Sequence, residues 1–314
     1  DGGTRFVDVT SSGGFGTVYR ATEITTNRRV AVKILKPNSS DDPLVALERF
    51  RVESVTSMKI QHPHCVEVFD FGISEGQIAY IVMEYLEGRN LSDLVKKDGY
   101  PDSAQSLRIL LAVGKALAAA HHQGVVHRDV KPSNVFLTGF GSTPGIKLLD
   151  FGIAKLVGES QPPLNPPLTQ EGALLGTPMY MSPEQIIGDK IGPPTDVFSF
   201  GLMAYELFAG RRPWAFESGD TRWGVVMKRL KSPAIDLSHW VQPIDPGLNA
   251  AVMACLSKDV SNRPSAEDLV AILSKIKPLD LSVKHCEQTP VLTESDDKTV
   301  VDNPETNHQV LLPN

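Results

Sequence analysis

One short run of the chain concentrates reactive chemistry: His127-Arg128-Asp129-Val130-Lys131-Pro132-Ser133-Asn134. It supplies a carboxylate able to act as a base, a cation and an amide ligand within a single loop. Upstream, Ser11-Ser12-Gly13-Gly14-Phe15-Gly16-Thr17-Val18 is rich in glycine. Glycines let the backbone come close to phosphate oxygens and offer them N–H donors. Taken alone, such a stretch is more often a plain turn. Spacing adds to it, because Ala31-Val32-Lys33 ends fifteen residues after Val18, and Glu53 follows twenty residues after Lys33. A lysine can neutralise phosphate oxygens while a carboxylate on a neighbouring helix holds it in place. Taken singly, each of these two is an ordinary surface charge.

These groups need a frame to hold them. From Arg5 to Leu35 apolar and polar residues alternate between turn residues, which predicts antiparallel strands. Residues 42–60 read as a helix that His62-Pro63 ends, and strands are expected over 66–71 and 78–85. After Gly88 long apolar helices begin. Leu107, Leu110, Leu111, Leu117, Ala118 and His121 recur at helical spacing, with Asp102 as a starting cap and Gly124 as a stop. Strand-like pieces at Val125-Val126 and 146–149 each lead into a polar cluster. The proline-rich stretch 157–169 predicts a surface loop, and the polar chain beyond Pro278 reads as a linker.

Composition narrows the class. A chain of 314 residues with 41% apolar and 22% charged residues suits about two packed units. Its net charge of −6 shows no basic block, which argues against a nucleic-acid partner. Cys65, Cys255 and Cys286 are too few and too scattered for a disulfide framework, so a reducing, cytoplasmic setting is expected. The apolar stretches 107–120 and 197–208 carry Arg108, Lys115 and Glu206 and fall short of a membrane span. Because the chain opens on Asp1 and has no leader, it is expected to be a piece of a longer protein, with room for an anchor elsewhere.

The run from His127 to Asn134, followed by Asp150-Phe151-Gly152, resembles the eukaryotic-like protein kinase family. The likeness continues through Gly176-Thr177-Pro178, Ser182-Pro183-Glu184, Asp196-Val197-Phe198-Ser199-Phe200-Gly201 and Arg263-Pro264, and covers residues 6–276. Met181-Ser182-Pro183-Glu184-Gln185 is most similar to bacterial serine/threonine kinases of the PknB-like type. The resemblance implies an α+β, bilobal protein kinase fold: an antiparallel-sheet lobe with one main helix over 6–86, a larger helical lobe over 87–276, and a tail or linker over 277–314. It implies transfer of the ATP γ-phosphoryl group to serine or threonine hydroxyls of proteins, the chain itself included.

Roles follow from the same resemblance. Asp129 accepts or orients the proton of the acceptor hydroxyl, and Lys131 steadies charge on the transferred group. Asn134 and Asp150 are the oxygen ligands for Mg2+. Ser11, Gly13, Gly14 and Gly16 lie against the phosphates, with Lys33 held by Glu53. Val18 and Ala31 cover adenine, Phe136 lies beneath it, Glu84 and Leu86 offer backbone hydrogen bonds, and Met83 guards the rear pocket. Glu184 and Arg263 form a buried ion pair. Arg128 marks a kinase switched on by loop phosphorylation, with Thr169 as the first candidate switch and Thr177 as a serine/threonine marker.

Three residues depart from the pattern. Ser11 replaces a glycine, Ser57 an apolar residue, and Ser133 an acidic residue common in kinases that prefer basic substrates. Ser11 and Ser57 motivate one alternative, a pseudokinase scaffold without turnover. A small-molecule kinase of the same architecture is the other alternative. The Ser182-Pro183-Glu184 and Arg263 elements, which in protein kinases build a peptide-docking platform, count against it.

Overall fold

In the computed structural model the described residues are 4–13, 16–35, 58–74, 78–139, 144–151, 178–214, 222–277 and 282–283. The expected helix over 42–60 falls mostly outside them, as do the 157–169 stretch and nearly all of the chain beyond Pro278.

The alternation over 5–35 becomes β1 (Thr4–Gly13), β2 (Gly16–Glu23) and β3 (Arg29–Leu35), and the strands expected over 66–71 and 78–85 become β4 (Val68–Ile73) and β5 (Ala79–Glu84), five antiparallel strands in all. Their order is β1-β2-β3-β5-β4. Strand β3 is buried on both faces, and side chains along a strand alternate between faces. Val30 and Val32 join Ala21 on one face, while Ala31 joins Val66 and Met83 on the other. Lys33, two residues after Ala31, is thereby carried on the Ala31 face and is 7% exposed.

Beyond β5 the chain turns helical. Strand β6 (Gly88–Asn90) leads into α1 (Leu91–Asp98), and α2 (Ser103–His122) follows. Asp102 caps α2 by accepting the Gln105 N–H at 2.7 Å. Gly124, at φ 73°, ends it, and the Val125 N–H returns to the Ala120 carbonyl at 2.9 Å. That return bond is why Val125-Val126, expected as strand-like, is instead irregular chain. Strand β7 (Val135–Thr138) pairs with β6 on one side and with β8 (Gly145–Leu148) on the other, forming a small second sheet.

Helices α3 (Pro183–Ile187), α4 (Pro193–Ala209) and α5 (Arg222–Lys231) come next, followed by β9 (Val241–Gln242), α6 (Pro246–Cys255) and α7 (Ala266–Leu273). The short strand β10 (Ser282–Val283) pairs with β9. Helix α4 is buried at every residue from Thr195 to Ala209, as expected of a helix apolar nearly all round. Its two charges, Asp196 and Glu206, therefore need partners inside the fold. A Cβ on Gly201 would come 2.5 Å from the Cys255 Cβ, so glycine sets the close approach of α4 to α6. Among the described residues no helix is long and apolar enough to cross a membrane.

Candidate active site

The loop between α2 and β7 is held by α4. Asp196, fully buried, accepts the backbone N–H of His127 through Oδ2 and that of Arg128 through Oδ1, both at 2.7 Å, and His121 Nε2 lies 2.8 Å from Oδ2. Arg128 sits at φ 65°, in the left-handed region that non-glycine residues seldom adopt. The two short amide bonds from Asp196 supply the over-determination that such a conformation needs. His127 Nε2 lies 2.7 Å from the Leu149 carbonyl oxygen, and its ring packs on Phe151 at 4.9 Å between centroids. The 127–134 loop and the Asp150 segment are thus fastened together.

Three side chains predicted from the loop converge. Lys131 Nζ lies 3.1 Å from Asp129 Oδ2. Asn134 Nδ2 donates to the same oxygen at 3.2 Å and to the Asp129 backbone carbonyl at 2.8 Å. Both contacts fix the orientation of the Asp129 carboxylate. They also aim the amide so that the Asn134 Oδ1 is its remaining metal-competent atom. Across the junction with the sheet, Lys33 Nζ pairs with Asp150 Oδ1 at 2.8 Å. Asp150 is likewise left-handed, at φ 56°.

Asn134 and Asp150 fit Mg2+, which takes few protein oxygens and completes its octahedron with water and phosphate. Bound there, the ion would neutralise phosphate charge. Lys33 adds a cation beside the same carboxylate.

Three of the apolar residues singled out, Val18, Ala31 and Met83, meet as well. Val18 packs on the cluster of Ala31, Val66 and Met83, and so do Tyr85 and Leu149, which the sequence did not single out. Phe136 lies on the half-buried face of β7, opposite Val135 and Leu137. Glu84 ends β5, and its N–H donates to the Glu67 carbonyl at 2.9 Å. Its carboxylate takes the Glu67 N–H at 2.7 Å and pairs with Lys147, a side-chain role additional to the backbone one expected. Leu86 is half-buried in the segment that follows.

At the glycine-rich turn, Ser11 pairs with Val18 and Gly13 with Gly16 across the β1–β2 hairpin. Gly16 has a packing reason of its own: at φ 155° a Cβ would lie 2.2 Å from the Ile34 carbonyl oxygen. Gly14, Glu53, Ser57, Thr169 and Thr177 lie outside the described residues.

Below the loop, Arg263 forms a fork with Glu184, Nη1 to Oε1 at 2.7 Å and Nη2 to Oε2 at 2.9 Å. Thr195 Oγ1 adds a third donor at 2.8 Å. Burial alone would raise the Glu184 carboxyl, but the Arg263 hydrogen bonds, helped by a backbone N–H and Thr195, hold it below its ordinary value. Gln185, in the same helix, donates Nε2 to the Arg128 carbonyl at 2.9 Å and ties α3 to the loop. The holding roles of Asp196, His121 and Gln185 are not visible in the sequence, although Asp196 lies in the Asp196–Gly201 motif. Partners 57 to 75 residues away leave no local signal.

A family profile described as "Protein kinase domain" matches residues 8–272. Serine/threonine-protein kinase PknA of Mycobacterium tuberculosis is 37% identical over 277 residues, covering 85% of this chain and 61% of that protein. PknB of Mycobacterium leprae is 35% identical over 293 residues, with 92% and 44% covered. The chain thus spans less than two thirds of the length of either relative. The crystal structure of the Mycobacterium tuberculosis PknI kinase domain superposes with a TM-score of 0.64 at 25% identity, covering 87% of this chain and 96% of that one. With that profile spanning most of its length, the chain belongs to the protein kinase domain family.

Proposed function

We propose that this chain transfers the γ-phosphoryl group of ATP, with Mg2+, to serine and threonine hydroxyls of proteins, itself included. The observation that carries the reading is the Asp129 carboxylate, oriented by Lys131 and Asn134, within one loop fastened to Asp150 and Lys33. Asp129 takes or orients the acceptor hydroxyl proton, and Lys131 faces the charge that develops as the phosphoryl group moves. Little covalent work falls to the protein, so positioning and fixed charge carry the rate. The names of the similar PknA and PknB proteins support serine and threonine as acceptors.

The lobe boundary at 86/87 and the assignment of Ser11, Gly13, Gly14, Gly16, Val18, Ala31, Met83, Glu84, Leu86 and Phe136 to the nucleotide belong to the same proposal. So do a pairing of Glu53 with Lys33 and a switch at Thr169 read by Arg128. A reducing, cytoplasmic setting is supported by Cys65 and Cys255, which are buried free thiols. Among the described residues nothing favours a scaffold without turnover.

The test is incubation of the dephosphorylated chain with labelled ATP and Mg2+, with and without a chelator, followed by phosphoamino-acid analysis. Metal-dependent phosphoserine or phosphothreonine is expected. Phosphotyrosine alone, or no incorporation despite bound ATP, would overturn the reading.

A further inference from the structure

A cleft of about 740 Å³ opens between the segment 59–62, the C-terminal half of α2 and the first turns of α7. It shares no residue with the proposed active site. Its size falls among small-molecule sites, which run from roughly 300 to 1,000 Å³. Ile60, Ala118 and Val270 give it apolar lining. Lys59, His62, Lys115 and His122 supply ammonium and imidazole groups, against one carboxylate, that of Glu267. A cleft with one sign of charge along low-dielectric walls concentrates ions of the other sign.

Counter-charge for these groups is scarce. Among the described residues neither Lys59 nor Lys115 pairs with a carboxylate, and Glu267 lies 3.9 Å from the imidazole of His122. Burial first, and then the charges of His64 and Lys115, push the half-buried His62 ring below the ordinary histidine value. Both of those neighbours are basic, so the field at the ring is positive. His62 Nδ1 accepts the His64 N–H at 3.2 Å, which leaves the proton of the neutral ring on Nε2. That Nε2–H makes no hydrogen bond among the described residues. The wall that carries it is braced: His64 Nδ1 lies 2.9 Å from the Ile146 carbonyl oxygen, and the His64 carbonyl accepts the Leu148 N–H at 2.7 Å.

The charge count selects the ligand. With both imidazoles neutral, two ammonium groups face one carboxylate, a surplus of one positive charge, and protonation of His62 makes the surplus two. A phosphate monoester, close to −2 near neutral pH, matches that state, whereas a carboxylate carries half the charge. We propose that this cleft binds a small phosphate monoester, its head held by Lys59, Lys115 and the His62 Nε2–H and its apolar body against Ala118 and Val270. The site is separate from the phosphoryl-transfer chemistry and does not depend on it. Binding and protonation of His62 favour each other, because the dianion offsets the positive field that Lys115 and His64 impose on the ring. His122 and Glu267 face the same space from α2 and α7 and largely answer each other.

The test follows the His62 ring by NMR in the dephosphorylated chain at constant ionic strength, with a non-hydrolysable ATP analogue and Mg2+ present to occupy the nucleotide site. The His62 signal is identified by its loss in His62→Gln. The probe is phenyl phosphate, and benzoate presents the same body with a carboxylate. Phenyl phosphate is expected to raise the midpoint of the His62 titration by about 0.5 pH or more, equivalent to roughly threefold tighter binding to the protonated ring, and benzoate by less. Lys115 is exposed, so Lys115→Met keeps the fold, and most of the rise should vanish in it. Lys97→Met, which removes the same charge from an exposed position of α1 outside the cleft, should retain the rise. A midpoint unmoved by about 10 mM phenyl phosphate, an equal rise with benzoate, or equal losses in Lys115→Met and Lys97→Met would overturn the proposal and leave the kinase reading standing.

Discussion

Asp196 accepts the backbone N–H of Arg128 at 2.7 Å across 68 residues of sequence, and through this bond a buried helix sets the shape of the loop that bears Asp129. Its second oxygen takes the His127 N–H. In Asp196→Asn one of the two oxygens becomes an N–H donor facing another donor. The loss is expected to be on the order of 3 kcal/mol in stability, with kcat reduced at least about tenfold. Thermal unfolding and steady-state kinetics on the same preparation check both.

Lys33 is buried and pairs with Asp150 at 2.8 Å, so it links the sheet to the proposed metal ligand. Replacement by methionine keeps the bulk and removes the charge that faces Asp150 and, on the proposed reading, the phosphates. Transfer is expected to fall by roughly 100-fold or more, the scale seen when a pre-placed charge is removed from a reacting centre. Asp150→Asn should weaken the dependence on Mg2+ concentration as well as the rate, which a magnesium titration resolves. A Lys33→Met variant with unaltered turnover would contradict the placement.

The Glu184–Arg263 fork is a stability device. Both side chains are nearly inaccessible, so Glu184→Gln leaves a buried guanidinium without its counter-charge and is expected to cost about 3–5 kcal/mol. The pH dependence has a definite sign. Because the folded Glu184 pKa is depressed, its contribution is complete above the ordinary glutamate value of about 4.3 and is lost as pH falls through the lower folded value. Denaturant midpoints measured from pH 6 downward should fall more steeply for the unaltered chain than for Glu184→Gln.

Gly16 joins backbone geometry to the proposed phosphate loop. Alanine there places a Cβ 2.2 Å from the Ile34 carbonyl oxygen, which β3 cannot yield without losing register against β2. Gly16→Ala is therefore expected to lower ATP affinity and also the stability of the sheet, seen together in calorimetric titration and thermal unfolding. Loss of affinity with Tm intact would assign Gly16 to phosphate approach alone.

Much of this was legible in the residues. The 127–134 run carries its own geometry because Asp129, Lys131 and Asn134 are near neighbours and meet through local turns. Alternation in β3 placed Ala31 and Lys33 on one face, and Asp102 and Gly124 bounded α2 by ordinary capping chemistry. What stayed hidden depends on distant pairings. Asp196 reads as one acid near the start of an apolar helix until the fold shows where it ends. Val125-Val126 misled because two β-branched residues in a row look like a strand, whereas the return bond to Ala120 decides their conformation.

The most direct test of the account is the time course of phosphate incorporation into the chain and an added protein acceptor, comparing the unaltered protein with Asp129→Asn by intact-mass spectrometry. The substitution keeps the shape and one acceptor oxygen but removes the carboxylate that Lys131 and Asn134 orient. Loss of about 100-fold or more in transfer is expected, with ATP binding and Tm nearly unchanged. Equal incorporation by the two proteins would contradict the assignment of Asp129 and the mechanism built on it.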